Sequence, residues 1–468
     1  LGVAPSVTDF GLLMDEERAR ELGENMQSAY NLLPSQKYFE VVQSPVVEFN
    51  FPTLYGDTID SALELRNFLL GDPQASNPRT EPAPNDDESP NVLKPQFLDR
   101  AIENHNTILD GWTPPSTMEV IQIAGWGEKT LRGIKYSCGL LTCSSLSTLD
   151  RKILKTIDGD GTVVIPSALA VSTSTPNVER YYANLGEYNK WGGFRINRGH
   201  ADILETGSMQ DFLKSIIEGG RTHDEFIKEN KPLVESHDNR LDFTLHSPVA
   251  LHLYDNEGNH TGSIPNPIPN SDLRAYEARL PNSYYREYGE TKYAGSDTFA
   301  TTTVKLIGES LGIFTFDINE TLGDTVVAST IWKDIPVTAS STLMLDIQTL
   351  ASTTALHMDV DGDGIVDVIL TQGEGVTTQE LLTILKGIVK TLGLPDKKED
   401  KLLKGIEKIE KEIAKEHKNE KDEKQKTKHS FEKIMKTVEK FEKKGVLTHK
   451  EAMELLEIVA KIEGGVIK

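Results

Sequence analysis

Cysteine is nearly absent from this chain: there are two in 468 residues, Cys138 and Cys143. Their spacing is not that of a thioredoxin-like redox pair, and no second pair exists to complete a zinc site. Cytosolic chains of this size usually carry more thiols. A structural disulfide formed in an oxidising compartment is therefore expected, with a buried reduced pair as the other reading. The loop it would close is short, so its stabilisation would be modest. Long apolar runs are missing as well. Nothing approaches the roughly 18–20 residues that span a bilayer. The opening residues Leu1 to Ser6 form neither a basic nor an apolar leader region, so the chain reads as a mature product or a fragment.

Positive charge is scarce over most of the length. The chain holds 50 Lys plus Arg against 72 Asp plus Glu, a formal net charge of −22. Residues 397–468 carry 20 Lys, no Arg and 16 acidic groups, so the remainder stands at −26. A surface of that sign repels phosphate backbones, and no nucleic-acid partner is expected for residues 1–396. It suits divalent cations, or it serves solubility alone.

What is present divides into three zones. Residues 1–240 mix helix and strand signals. Asp99 to Leu109 and Met209 to Ile217 have helical patterning, and Glu119 to Ala124 is a β-rich run stopping at Gly125-Trp126-Gly127. Residues 241–375 alternate apolar and polar positions, as in Phe314, Phe316 and Ile318 or Leu343, Leu345 and Ile347; short strands separated by turns predict a β-sandwich. Residues 376–468 return to helical spacing at Leu402, Ile406 and Ile409 and at Phe431, Met435, Val438 and Phe441. Thr377 to Glu380 and Thr448 to Glu451 have the form of capping boxes. The lysine-rich stretch from Lys415 to His429 reads as a solvated helix face or linker rather than a nucleic-acid site.

Two segments can carry chemistry in the first zone. Asp158-Gly159-Asp160-Gly161-Thr162-Val163 is followed, forty residues beyond Asp160, by Gly199-His200 with Ile203-Leu204 leading into a helix. In lipase-type α/β-hydrolases the catalytic triad runs Ser, then Asp or Glu, then His along the chain, and Asp160 and His200 keep that order. Aspartate and glycine equally suit a turn or a cation loop, so the acid loop taken alone leaves both readings open.

Together with two further stretches, these segments resemble the C-terminal half of the lecithin:cholesterol acyltransferase family of lipase-like α/β-hydrolases. Glu24 to Ser35 (ENMQSAYNLLPS) resembles the family's lid region, and Val120 to Gly127 with Thr130 resembles its strand entering a glycine loop. The resemblance covers about residues 1–218 and implies an α/β fold with a lid over residues 1–240. It also implies Asp160 as the orienting acid and His200 as general base and then general acid. The family's Gly-x-Ser-x-Gly elbow is missing from residues 1–150. The one match, Gly308-Glu309-Ser310-Leu311-Gly312, precedes a strand-like run where the elbow needs a helix, so Ser310 is read as a hairpin-turn serine. The nucleophile is therefore expected from an upstream segment or a partner chain.

The second zone ends in Asp359-Val360-Asp361-Gly362-Asp363-Gly364-Ile365-Val366-Asp367. Carboxylates at positions one, three, five and nine can turn inward on a hard cation, with Gly364 permitting the turn and the Ile365 carbonyl adding an oxygen. Leu370 stands where an EF-hand has its bidentate Glu, so the expectation is a structural calcium loop of the extracellular type, with ligands Asp359, Asp361, Asp363, Ile365 and Asp367. His246, His252 and His260 lack a zinc spacing and are read as strand and turn residues. The predicted fold is thus an α/β-hydrolase half with lid (1–240), an all-β sandwich with a calcium loop (241–375) and a small all-α module (376–468). The predicted function is an esterase or acyltransferase acting on acyl esters or lipids, secreted or at a cell or membrane surface. The competing reading is a calcium-stabilised extracellular scaffold without catalysis.

Overall fold

A computed structural model describes residues 7–8, 12–13, 16–51, 53, 55–70, 93–137, 150–171, 177–191, 197–246, 248–266, 268, 273–298, 300–347, 355–371, 376–414 and 420–467. Cys138 and Cys143, and with them the expected disulfide, lie outside the described residues.

The β-branched and aromatic alternation after residue 238 builds two antiparallel sheets. One has five strands in the order Tyr284–Tyr288, Thr291–Asp297, Asn239–His246, Gly312–Leu322 and Thr325–Val337. The other centres on Val249–Tyr254, Thr303–Gly308 and Thr342–Asp346. It extends on one side through His260–Ile264 and Arg274–Ala278 to two short N-terminal strands, and on the other through Leu356–Asp359 to Val368–Leu370. Inward residues of the two sheets, such as Phe243, Phe316 and Ile318 against Leu251, Leu306 and Leu345, share one core, as period-two strands with one buried face require. That core does not stop at the sheets. Leu382, Leu385 and Ile388 of the helix Thr378–Thr391 belong to it, as do Ile406, Phe431, Val438 and Leu455 of the three helices that follow. Both Thr-x-x-Glu capping boxes form, at Thr377 with Glu380 and at Thr448 with Glu451.

The expectation of an α/β-hydrolase half is corrected. The chain is dominated by β-sheet, and residues 16–228 hold two small sheets instead of one continuous parallel sheet wrapped by helices. Among the described residues two strand pairs are parallel, Val47–Phe49 with Thr130–Ser137 and Val120–Trp126 with Val178–Asn184, and Glu128 and Asp160 form an isolated parallel bridge. The two pairs lie in different sheets, and their other neighbours are antiparallel. The physical reason is the antiparallel pairing of Thr130–Ser137 with Asp150–Thr156. It follows directly on the Val120–Trp126 strand and commits the intervening chain to a separate sheet. Apolar runs report that strands exist, and their hydrogen-bond partners are chosen at the tertiary level.

Residues Glu309 to Leu311 also differ from expectation. The strand before them lies in one large sheet and the strand after them in the other, so Ser310 sits in a sheet-to-sheet crossing and not a hairpin. The crossing is tight. A Cβ on Gly308 would lie 1.9 Å from the Thr338 carbonyl oxygen.

The first zone is fastened to the sandwich by buried charge. Asp242, inside the Asn239–His246 strand, stands 3.4 Å from both Lys129 Nζ and Lys155 Nζ and accepts a hydrogen bond from the Tyr284 hydroxyl. Lys155 Nζ also lies 5.0 Å from the Tyr284 ring centroid and 5.3 Å from that of Tyr293. Burial alone would raise the Asp242 pKa, but Lys155 and Lys129, with the Tyr284 hydroxyl and Arg240, outweigh it and hold the carboxyl well below the usual carboxylate range. Burial lowers the Lys155 ammonium in spite of Asp242.

Replacing Asp242 by Ala leaves two cations without their buried partner, so we expect a loss of roughly 3–5 kcal/mol in denaturant unfolding. The sign of the pH dependence follows from the depressed folded pKa. The Asp242 contribution is complete above about pH 5 and shrinks as pH falls below its ordinary value near 3.9 toward the folded one. The difference in unfolding free energy between wild type and Asp242→Asn, measured from pH 6 down to pH 3, should narrow toward acid; a constant gap would contradict this account.

Candidate functional site

Asp160 lies on a turn built by glycines and one threonine. Gly161 has φ +95, a left-handed conformation that favours glycine. Its amide donates to Thr130 Oγ1 at 2.8 Å, and Thr130 Oγ1 donates in turn to the Glu128 carbonyl at 2.8 Å. A Cβ on Gly159 would come within 2.3 Å of Thr130 Oγ1, and one on Gly125 within 2.5 Å of Asp160 Cβ. The Val120–Gly127 stretch and Thr130, singled out in the sequence, therefore form the seat of the acid loop.

The turn presents a buried carboxylate with divided duties. Asp160 Oδ1 accepts from the Val163 amide at 2.7 Å and the Thr162 amide at 3.1 Å, which fixes the plane of the carboxylate. Its Oδ2 lies 2.9 Å from His200 Nδ1, and the His200 amide donates to the Asp160 carbonyl at 2.9 Å. An ionised carboxylate only accepts, so His200 carries its proton on Nδ1 and offers a lone pair on Nε2. The imidazole side chain is 43% exposed while Asp160 is buried. The imidazole is thus oriented by the carboxylate and open on one face, a geometry in which it could serve as a general base.

Asp158, two residues away, serves other partners. It accepts from the Trp126 indole at 3.0 Å and pairs with Lys231. Asp158 and Asp160 do not fall together in a group of three or more metal-ligating side chains among the described residues. No described hydroxyl or thiol is hydrogen-bonded to His200. Ser310 lies in the sandwich, where its hydroxyl donates to the Leu311 carbonyl at 3.3 Å.

The lid-like stretch contributes to a cavity of about 320 Å³ walled by Tyr30, Leu33, Pro34, Leu65, Leu98 and Ile102. The polar side chains at its edge have local partners. Arg66 pairs with Asp99, and His105 is held between the Asp110 carboxylate and the Asn31 carbonyl. Around it Leu32, Leu63 and Ile108 are exposed to 85%, 65% and 60%. The helix Gln36–Val42, whose first residue lines the cavity, packs against the short helix Ile165–Ala168 that follows the acid loop. No helix of the described residues is long and apolar enough to cross a membrane.

The second acidic loop brings Asp359, Asp361 and Asp363 together, with one carboxylate oxygen of each within 4.8 Å of the others. Gly362 and Gly364, at φ +78 and +87, make its turns. Asp359 accepts from both of their amides, at 2.7 and 2.8 Å. Asp361 Oδ2 faces Lys390 Nζ at 3.2 Å, and its buried Oδ1 has no hydrogen-bond partner. Asp367 is not in this group of carboxylates, and its Oδ2 accepts the Val360 amide at 2.8 Å. Three hard oxygen donors, Asp359, Asp361 and Asp363, with one orphaned oxygen form an acidic group that could hold a metal ion. His246, His252 and His260 lie in strands, and His252 Nδ1 meets His260 Nε2 at 2.9 Å. Desolvation, helped by His260 and Lys305, pushes the His252 imidazole down to about 4, so it is neutral at physiological pH.

Sequence reasoning missed the polar groups that hold the site from outside it: Arg240, Glu128, Asn189 and Asn197. Arg240, Asp242 and Thr244 alternate with Leu241, Phe243 and Leu245, and it is their burial, visible only in the structure, that sets them apart. Comparison with known proteins leaves the geometry to stand alone, since no family model, no curated protein and no solved structure matches the chain.

Gly125→Ala should push the Asp160 turn outward. We expect a loss of about 1–3 kcal/mol in thermal or denaturant unfolding, as for overpacking elsewhere, and a lengthened Asp160–His200 contact in a crystal structure of the variant.

Proposed function

We propose that this chain contributes the acid and the base of an acyl-ester hydrolase or acyltransferase. The observation that carries the reading is the 2.9 Å bond between His200 Nδ1 and the buried, amide-braced Asp160 carboxylate, with Nε2 left for a reacting group. The reading does not depend on an α/β-hydrolase fold. The same constellation recurs on unrelated scaffolds and is recognised by geometry and roles.

In this proposal His200 Nε2 takes the proton of a nucleophilic hydroxyl as it attacks the ester carbonyl. Asp160 holds the tautomer and stabilises the imidazolium, which then protonates the leaving alcohol. Water or a second alcohol resolves the acyl intermediate by the same base. The hydroxyl comes from residues beyond the described ones or from a partner chain. The cavity beside the Tyr30 and Leu33 segment, apolar and with its polar edge groups partnered, supports an apolar acyl ester or lipid as substrate. The exposed leucines around it support contact with a membrane or cell surface.

Calcium at Asp359, Asp361 and Asp363 belongs to the same reading as a structural ion. Bound there it would supply charge neutralisation for three crowded carboxylates, and the residues themselves would tie the end of the sandwich to Lys390 on the following helix. A weak loop of this kind fills at extracellular calcium levels, roughly 10⁻⁴–10⁻³ M in dissociation constant, which fits a secreted protein. A non-catalytic scaffold is the second reading, favoured by the lack of a described hydroxyl on His200.

Treatment of natively purified material with a fluorophosphonate should give an adduct, read by intact mass, on this chain or on a co-purifying one. Asp160→Asn should then reduce ester turnover by about 10³–10⁴-fold with the fold intact. No adduct and no turnover would leave the scaffold reading in place. Separately, millimolar calcium should raise the melting temperature of the wild type and not of Asp361→Asn; equal responses would remove calcium from the loop.

A further inference from the structure

The base loop at His200 has almost no structure of its own. Between Asn197 and His200 the backbone is irregular, and what holds it comes from three directions. From below, the His200 amide reaches the Asp160 carbonyl, and Gly199 N–H reaches Asp202 Oδ1 at 2.8 Å. From the side, Asn189 exchanges two bonds with Arg198. Its Oδ1 accepts the Arg198 amide at 2.8 Å, and its Nδ2 donates to the Arg198 carbonyl at 3.0 Å. From the sandwich, Asn197 Nδ2 lies within donating distance of three acceptors, the Ala278 carbonyl at 3.0 Å, the Leu280 carbonyl at 2.9 Å and Ser283 Oγ at 3.1 Å. Leu280 and Ser283 are buried, so these acceptors belong to rigid structure.

The acid loop is gripped from the same side. Arg240, buried in a sandwich strand, donates to the Gly127 carbonyl at 2.8 Å and to the Asn282 carbonyl at 2.7 Å, and stands 3.7 Å from Glu128. Glu128 accepts from Asn189 Nδ2 at 2.8 Å, and its own amide bonds to the Gly159 carbonyl beside Asp160. The sandwich therefore touches both halves of the Asp160–His200 pair. Asn197 reaches the base loop directly, and the chain Arg240, Glu128, Asn189 runs between the two loops. The turn carrying Asn282 and Ser283 anchors both grips.

We infer that the β-sandwich is part of the site's scaffold, and that Asn197 is a positioning residue through which it sets His200 against Asp160. The inference rests on the proposed base role for its significance and not for its geometry. The two N–H groups of Asn197 are shared among three acceptors, and a hydrocarbon in its place takes both donors from the Ala278 and Leu280 carbonyls.

The test is spectroscopic and uses the full chain. Proton NMR with histidine-selective ¹⁵N labelling reports the His200 Nδ1–H held by Asp160, assigned by its loss in His200→Gln. In wild type this proton should exchange slowly with solvent. In Asn197→Ala its exchange should quicken roughly tenfold or more, the factor that about 1.4 kcal/mol of hydrogen bonding gives, while the melting temperature changes little. Asn197→Ser, which keeps one donor, should recover part of the protection. Unchanged exchange in a folded Asn197→Ala variant overturns the inference. Should that variant fail to fold, Asn197→Ser and Ser283→Ala carry the test, and wild-type exchange in both overturns it equally. The signal depends only on the Asp160–His200 bond. It therefore answers even if no ester is hydrolysed, and the failure of the hydrolase proposal remains readable from the fluorophosphonate experiment alone.

Discussion

A carboxylate buried in the middle of a strand governs how this molecule is assembled. Asp242 is buried where water cannot compensate it, so it must be met by cations, and the cations that meet it come from a different part of the chain. Lys129 and Lys155 lie on either side of the hairpin that seats the acid loop, more than eighty residues earlier in sequence. Once they are committed to Asp242, the orientation of that hairpin on the sandwich is determined within the geometry of a few polar contacts. Apolar packing alone would hold the two parts together but would permit them to slide. Buried, directional charge removes that freedom, although it adds less net stability than the number of contacts suggests.

The rest of the site follows from this docking. With the hairpin seated, Arg240 reaches the Gly127 carbonyl and Glu128, and Asn197 reaches the turn after Ala278. The loops of Asp160 and His200 are then held against one rigid wall. A catalytic pair needs this kind of support, because an error of about an ångström in a positioned group costs orders of magnitude in rate. It also explains why irregular loops suffice here. Their backbones are short of internal hydrogen bonds, and the neighbouring sheet supplies the missing partners.

The C-terminal helices are integrated in a different way. They share a continuous apolar core with the sandwich, where the first zone contributes separate, smaller clusters. One interface is greasy and extensive, and the other is polar and specific. The acidic loop at Asp359 stands at the greasy one, where Lys390 of the first helix supplies a tethered positive charge to Asp361.

Much was legible locally. Strand alternation around Phe314 and Leu343, helical spacing at Leu402 and Phe431 and two capping boxes all depend on neighbours within a few residues, and periodicity records such neighbours directly. The order Asp160 then His200 pointed to two side chains that do meet, because a glycine-rich turn and a loop before a helix each constrain what can follow. Three of the four acidic side chains expected at the second loop come together, since their spacing lies within a single turn; the fourth, Asp367, accepts the Val360 amide outside that group. Sheet membership was not legible, and the expected α/β-hydrolase half gave way to separate small sheets for that reason. A strand's partner is set by whichever edge lies open when the chain collapses, and no local pattern names it. Nor were Asn197, Asn189 and Arg240 legible as supports of the base, since each acts across 9 to 113 residues on a backbone oxygen that every residue type possesses. Sequence alone determined which segments would be strands, helices and acidic turns. Tertiary structure decided which of them would face each other, because buried polar groups accept only partners that the whole fold delivers.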